Sequence, residues 1–343
     1  MIEYQEAAIR KLTFQKIGNE FQKITAPYSY EYDNEEEEEI LKKIFLKPFS
    51  AGAATYEFAH SIDLELHPLF KLSKSIFHGG DFETVSQQIL QHLKTVSKHP
   101  NIKDGDLFVV KYDDVKLNNQ HYTGLGIYKI ENKENFIETN ANSNDEIKLD
   151  IKQGISGRKL DKACLILLTD EPYTIFVIDN GNNGNDTEYW MNEFLAVELK
   201  NDFINNTSQF LSLTKSFITE QFPEEYQTTK ADQIELLNRS VQYFKKHETF
   251  DKSEFETEVL QNKNVIESFR NFDDTYREYN GIDLKDTFEI SPQAVKKQAR
   301  IFKSVLKLDR NFHIYIHGNT EMIQQGIDED GRKFYKIFYQ EES

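Results

Sequence analysis

The chain has 343 residues and a formal net charge of −17, so most of its surface repels phosphate, and indiscriminate coating of nucleic acid is excluded. That length gives a prior of about two domains with real cores, and 26 Phe and 17 Tyr make those cores aromatic-rich. The one cysteine, Cys164, lies in the apolar run Ala163 to Leu168, which rules out a disulfide within one chain and fits a reducing compartment.

The N-terminal MIEYQEAAIRKL is charged where a signal peptide needs an apolar run, and nowhere do about 18 apolar residues follow one another. A soluble, cytoplasmic protein is expected. Ile9, Leu12, Phe14 and Ile17 predict a strand or short helix. Glu35 to Glu39 precede Ile40, Leu41, Ile44 and Phe45 at helical spacing, an acidic start that suits the positive end of a helix dipole, and Pro48 ends that helix. Tyr56, Phe58, Leu64, Leu66, Leu69 and Phe70 lead to His78-Gly79-Gly80, read as a turn because no G-x-S-x-G elbow accompanies it. Val85, Ile89, Leu93 and Val96 predict an amphipathic helix over 82–98, stopped by Pro100.

Asp106 to Tyr112 and His121 to Ile130 read as strands flanking a hairpin loop at Lys116 to Gln120. Further strands are predicted around 134–139, 145–151, 163–169 and 173–178. Short polar connections between them predict a largely antiparallel sheet packed on the 82–98 helix. Asp179 to Asp186 is a turn-forming loop. As a calcium loop it fails, because position three is Gly181 and position twelve is Trp190.

From Tyr189 the pattern becomes helical. Phe203, Phe210, Leu213 and Phe217 predict one helix closed by Pro223. Ile234, Leu237, Val241 and Phe244 predict another, opened by a capping box at Thr229 to Asp232. Asp251 to Glu254 opens a third with Phe255 and Val259, and Val265, Phe269, Phe272 and Tyr276 mark a fourth ending near Gly281. The last pair, Gln325 to Asp328 and Lys333 to Tyr339, forms a hairpin across Asp328 to Gly331. The expected fold class is α+β: a mostly antiparallel sheet domain with packed helices over 1–188. A mainly helical domain over 189–343 follows, closed by a small helix-plus-strands module.

The densest positive segment is Ser291 to His317. There Lys296, Lys297, Arg300, Lys303, Lys307 and Arg310 face a single acid, Asp309. Ser291 can cap, Pro292 takes the first helical position, and Val295, Ala299 and Phe302 recur at helical spacing. Lys296, Arg300 and Lys303 fall on another face with Lys297 beside them. After Lys307 the period becomes two, Phe312, Ile314 and Ile316 alternating with His313, Tyr315 and His317, which is a strand.

This layout resembles the bacterial nucleoid-associated protein family of the NdpA/YejK type. The resemblance rests on Gly105 to Tyr112 with the strand after it, the Leu160 to Leu167 strand, the helix through Phe210, and Gln298 to Phe302 leading to His313 to Ile316. It covers nearly the whole chain as a pattern of strands and helices. It implies a cytoplasmic protein of the nucleoid, associated with DNA, and it brings no catalytic motif.

DNA binding through the basic module is the leading expectation, set against an ordinary solvated helix face. Six phosphate contacts would give a salt slope of about −5 on duplex DNA. His313, Tyr315 and His317 share a strand face and could stack on or bond to nucleic acid. A second cluster, Lys152, Arg158, Lys159 and Lys162 around Gly154 and Gly157, is partly neutralised by Asp150 and Asp161 and reads as a solvated loop. His313 and His317 lack an obvious third metal ligand, so neither a metal nor a cofactor is expected. The enzyme alternative is a Mg²⁺-dependent nuclease using Asp114, Glu146 and Lys148, although Glu198-Leu199-Lys200 repeats the same tripeptide spacing by chance. A third reading is a protein-interaction scaffold without DNA contact. The expected partner is DNA, with other nucleoid proteins as further candidates and no membrane. A homodimer would raise avidity.

Overall fold

The computed structural model describes residues 2–18, 28–30, 34–51, 54–141, 147–180, 189–226, 228–299, 305–308, 312–315 and 322–341. The chain falls into two units, Met1–Lys200 and Asn201–Ser343, and its architecture is α+β.

In the first unit, α1 (Glu35–Phe45) starts where the Asn34 side chain accepts the Glu37 N–H, and its first-turn glutamates sit at the positive end of the dipole. A 3-10 turn at Lys47–Ala51 follows, so Pro48 lies just beyond the helix. The helix α2 (Pro68–Phe77) is capped by the His67 ring, and α3 (Phe82–Val96) by Asp81, which accepts the Thr84 N–H. After α2 the chain turns through Gly79 at φ 88°, a conformation glycine adopts without strain.

The strands of this unit are β1 (Ile2–Glu3), β2 (Ala8–Ile17), β3 (Tyr28–Ser29), β4 (Thr55–Phe58), β5 (Gly105–Leu117), β6 (Gln120–Ile130), β7 (Glu134–Ala141), β8 (Ile147–Gly154), β9 (Lys162–Leu167), β10 (Thr174–Asp179) and β11 (Val197–Leu199). Among the described residues nine of them form one antiparallel sheet in the order β11-β4-β10-β9-β6-β5-β2-β3, with β1 also on β5. The β5–β6 turn is tighter than the five-residue loop expected. Asn118 and Asn119 make it alone at φ 51° and 63°, the left-handed values a two-residue hairpin needs and asparagine tolerates.

The sheet is buried on both faces, where the sequence pattern pointed to one packed helix. Leu107, Val109, Leu125, Ile127, Cys164 and Ile166 face α2, α3 and Trp190. The intervening Val110, Tyr112, Tyr128, Ala163, Leu165 and Leu167 face Phe45, Leu46 and Phe49. Successive strand residues point to opposite faces, so runs apolar in both phases need a cover on each side. β7 and β8 stand apart as a two-stranded arm. The pairs Ile137↔Ile151 and Thr139↔Leu149 lie on one face of it, with Ile137 64% and Ile151 72% exposed.

In the second unit α4 (Phe203–Ser216) runs through a π-helical turn at Phe217–Gln221 into α5 (Phe222–Glu225). Pro223 therefore does not close the helix where expected. It sits at the first turn of α5, beyond a widened turn where the missing N–H matters least. In α6 (Lys230–Lys246) the Thr229–Asp232 capping box forms in both directions. After β12 (Thr249–Asp251), α7 (Lys252–Phe255) leads into a π-helical turn at Glu256–Leu260, and α8 (Lys263–Asn280) ends on Gly281 at φ 61°.

β13 (Thr287–Glu289) pairs with β12 and leads into α9 (Pro292–Ala299). Two hairpins close the chain, β14 (Val305–Leu308) with β15 (Phe312–Tyr315) and β16 (Ile323–Ile327) with β17 (Lys333–Ile337). Phe210 centres the core of this unit, its ring 4.2 Å from Phe250 and 5.1 Å from Phe255. Leu308, Ile314, Ile323 and Tyr335 of the hairpins pack on Ile234 of α6.

Candidate nucleic-acid interface

The basic helix is built as its sequence predicts at its N-terminus. Ser291 is buried, its N–H donates to Thr207 Oγ1 at 3.0 Å, and its Oγ accepts the Ala294 N–H at 3.3 Å. Ala294 and Val295 are buried, and Gln298 Nε2 reaches Ser212 Oγ at 3.4 Å. Helical geometry then turns Lys296 and Lys297 outward, where both are exposed and hold no ion pair among the described residues. Arg300, Lys303 and Arg310 lie outside the described residues.

Lys307 is on a strand, opposite His313 in the β14–β15 register, and not on the basic helix. Val305-Leu306-Lys307-Leu308 already extends as a strand, so the switch in period comes before Lys307. His313 and Tyr315 are exposed on one face of β15 and Ile314 packs on Ile234, but Phe312, expected on the same face as Ile314, is 62% exposed at the strand's first position. His317 lies outside the described residues.

The second basic cluster does not assemble. Lys152 sits on the β7–β8 arm and pairs with Glu138. Lys162 is inside the sheet, 2.7 Å from Asp179. Asp161 accepts the Glu131 and Asn132 backbone N–H groups at 2.8 and 3.0 Å.

The nuclease constellation is not brought together on paired strands. Asp114 lies on β5 in the large sheet, 3.9 Å from His121, while Lys148 lies on β8 in the separate arm, 3.1 Å from Asp150. Glu146 lies outside the described residues. The repeat of that motif serves structure instead: Lys200 Nζ donates to Thr174 Oγ1 at 3.0 Å and to the Tyr173 carbonyl at 3.2 Å.

Sequence patterning gives no sign of the buried charge in the first unit. Lys129 and Lys162 are register partners across β6 and β9, with side chains 1% and 2% exposed. Lys129 Nζ donates to Glu131 at 2.6 Å, to the Lys103 carbonyl at 2.7 Å and to Tyr189 Oη at 3.1 Å. Burial pushes its pKa down, against the opposing pull of Glu131. Both ammonium groups lie over the Tyr189 ring, at 5.5 and 5.2 Å. Nearby, Asp106 bridges Lys16 and Lys133 beside a cavity of about 350 Å³.

Among the described residues one group of side chains has metal-ligand spacing, His247, Glu254 and Glu258, with ligand atoms within 4.8 Å of one another. His247 Nδ1 is 3.6 Å from Glu254, and Nε2 is within hydrogen-bond distance of Glu258 at 3.3 Å. No helix among the described residues is long and apolar enough to cross a membrane.

A family model described as nucleoid-associated protein YejK matches residues 15–339. No curated protein matches the chain.

Proposed function

This chain belongs to the nucleoid-associated protein YejK family, and on that premise we propose that it is a non-enzymatic DNA-binding protein of the bacterial nucleoid, working in the cytoplasm. The contact surface is the basic module: Lys296, Lys297, Arg300, Lys303, Lys307 and Arg310. The observation that carries this reading is α9 itself, with Ala294 and Val295 held in the core and Lys296 and Lys297 free for phosphate on the outside. A local patch of this kind acts semi-independently of distant carboxylates, because screening at physiological salt has a range of about 8 Å.

Retention of the full chain on duplex DNA, measured against salt, tests it. Six contacts predict a slope of about −5, and Lys296→Gln with Lys297→Gln should reduce its magnitude by about 2. Unchanged affinity after Lys296→Glu with Lys297→Glu would remove α9 from the contact surface.

The exposed apolar face of the β7–β8 arm favours a second role beside the first, contact with another copy of the chain. It predicts sedimentation as a dimer that Ile137→Lys and Ile151→Lys dissociate, with no DNA present. Sedimentation as a monomer at all concentrations would end that reading.

A further inference from the structure

The end of α3 and the loop after it enclose a pocket of about 250 Å³ lined by Ile17, Gly18, Lys94, Ser97, Lys98, Ile102, Lys103 and Lys129. Four of those residues are lysines and none is a carboxylate, on a chain of net charge −17. Lys94, Lys98 and Lys103 hold no ion pair among the described residues. Glu131 is bonded to Lys129, and the Asp104 carboxyl lies against Gly18 at the edge of the pocket, so four lysines stand there beside two neighbouring acids.

Two features show that the pocket is built. Buried Lys129 fixes the wall by donating to the Lys103 carbonyl at 2.7 Å. Ser97 caps α3, its N–H donating to the Leu93 carbonyl, while its Oγ is buried with no hydrogen-bond partner among the described residues. A buried hydroxyl without a partner is costly unless something bonds it.

We propose that this pocket is a phosphate-binding site, with Lys94, Lys98 and Lys103 supplying charge and Ser97 Oγ a directional hydrogen bond. Its volume falls below the roughly 300 Å³ at which pockets begin to enclose drug-sized ligands, so it takes a phosphate or pyrophosphate group rather than a whole nucleotide. The competing account is that Lys94 and Lys98 only offset the negative end of the α3 dipole. That account leaves Lys103 and the Ser97 hydroxyl without a role. The same oxyanion chemistry is offered by a free polyphosphate and by a DNA backbone.

Calorimetric titration of the full chain with inorganic pyrophosphate at low salt is the test. Saturable binding that weakens as salt rises is expected. Lys94→Gln and Lys98→Gln should each weaken it about tenfold, the loss of one charge-assisted hydrogen bond, and Ser97→Ala by a smaller factor. Thermal unfolding of each variant shows whether the fold is intact. Absence of saturable binding overturns the proposal, as does a Lys94→Gln/Lys98→Gln variant that melts earlier yet binds pyrophosphate as the parent does.

A duplex oligonucleotide that displaces pyrophosphate, and binds the double variant more weakly, identifies DNA phosphates as the source. A duplex that binds without displacing it identifies a free polyphosphate. Lys296→Glu with Lys297→Glu should leave pyrophosphate binding unchanged, so failure of this site and failure of the α9 contact are read separately.

Discussion

Replacing Lys162 by Met takes one ammonium group out of the interior of the large sheet and leaves Asp179, whose side chain is 10% exposed, without the cation 2.7 Å away. Breaking a buried ion pair from one side costs about 3–5 kcal/mol, because the remaining charge stays desolvated. Part of that is offset here. Lys129 faces Lys162 across the β6–β9 register, and removing one of two like charges relieves the other. The lower end, about 3 kcal/mol, is therefore expected, which for a unit of this size lowers Tm by roughly 6–12 °C.

Trp190 makes the assay specific, since it is the only tryptophan and is fully buried in the first unit, so its fluorescence follows unfolding there. Lys162→Met combined with Asp179→Leu should recover most of the loss, because a hydrophobic pair of similar volume carries no desolvation penalty. A single variant that melts within about 2 °C of the parent would refute the reasoning. A double variant as unstable as the single would assign the cost to the packing of the lysine stem instead.

Other consequences are equally direct. Phe210→Ala empties the centre of the aromatic core of the second unit and should cost about 3–5 kcal/mol by calorimetry. Thr229→Ala breaks the capping box on α6 and should cost about 1 kcal/mol in chemical denaturation. Burial alone would raise the Asp106 carboxyl, but Lys133 and Lys16 hold it below its usual range. Its contribution to stability is therefore present above the ordinary aspartate range and lost as pH falls through the lowered value, so Asp106→Asn should flatten the acid limb of stability against pH. Ile151→Ser, at a side chain 72% exposed in the single chain, should change stability by no more than about 0.5 kcal/mol when the protein is dilute enough to be monomeric. A larger loss that grows with protein concentration is expected if the face of the arm is covered by a second copy, and its absence at every concentration would count against that contact.

The sequence by itself determined the elements and much of their order. The Thr229 and Asp251 caps, the β5–β6 hairpin and the closing β16–β17 hairpin all follow from short-range chemistry, in which a side chain meets backbone only a few residues away. The outward turn of Lys296 and Lys297 was legible for the same reason, since a buried Ala294–Val295 face fixes the opposite one.

Only the tertiary structure decided which charges share a site. Lys152 and Lys162 are near in sequence yet sit on an exposed arm and inside a sheet, because β8 leaves the large sheet and β9 lies at its centre. Asp114 and Lys148 part for the same reason. Conversely, Lys94, Lys98, Lys103 and Lys129 converge on one pocket through the packing of α3 against the sheet. Sequence periodicity reports which face of an element is buried. Which distant faces meet depends on strand order and sheet closure, and with them the electrostatics of any site built between elements.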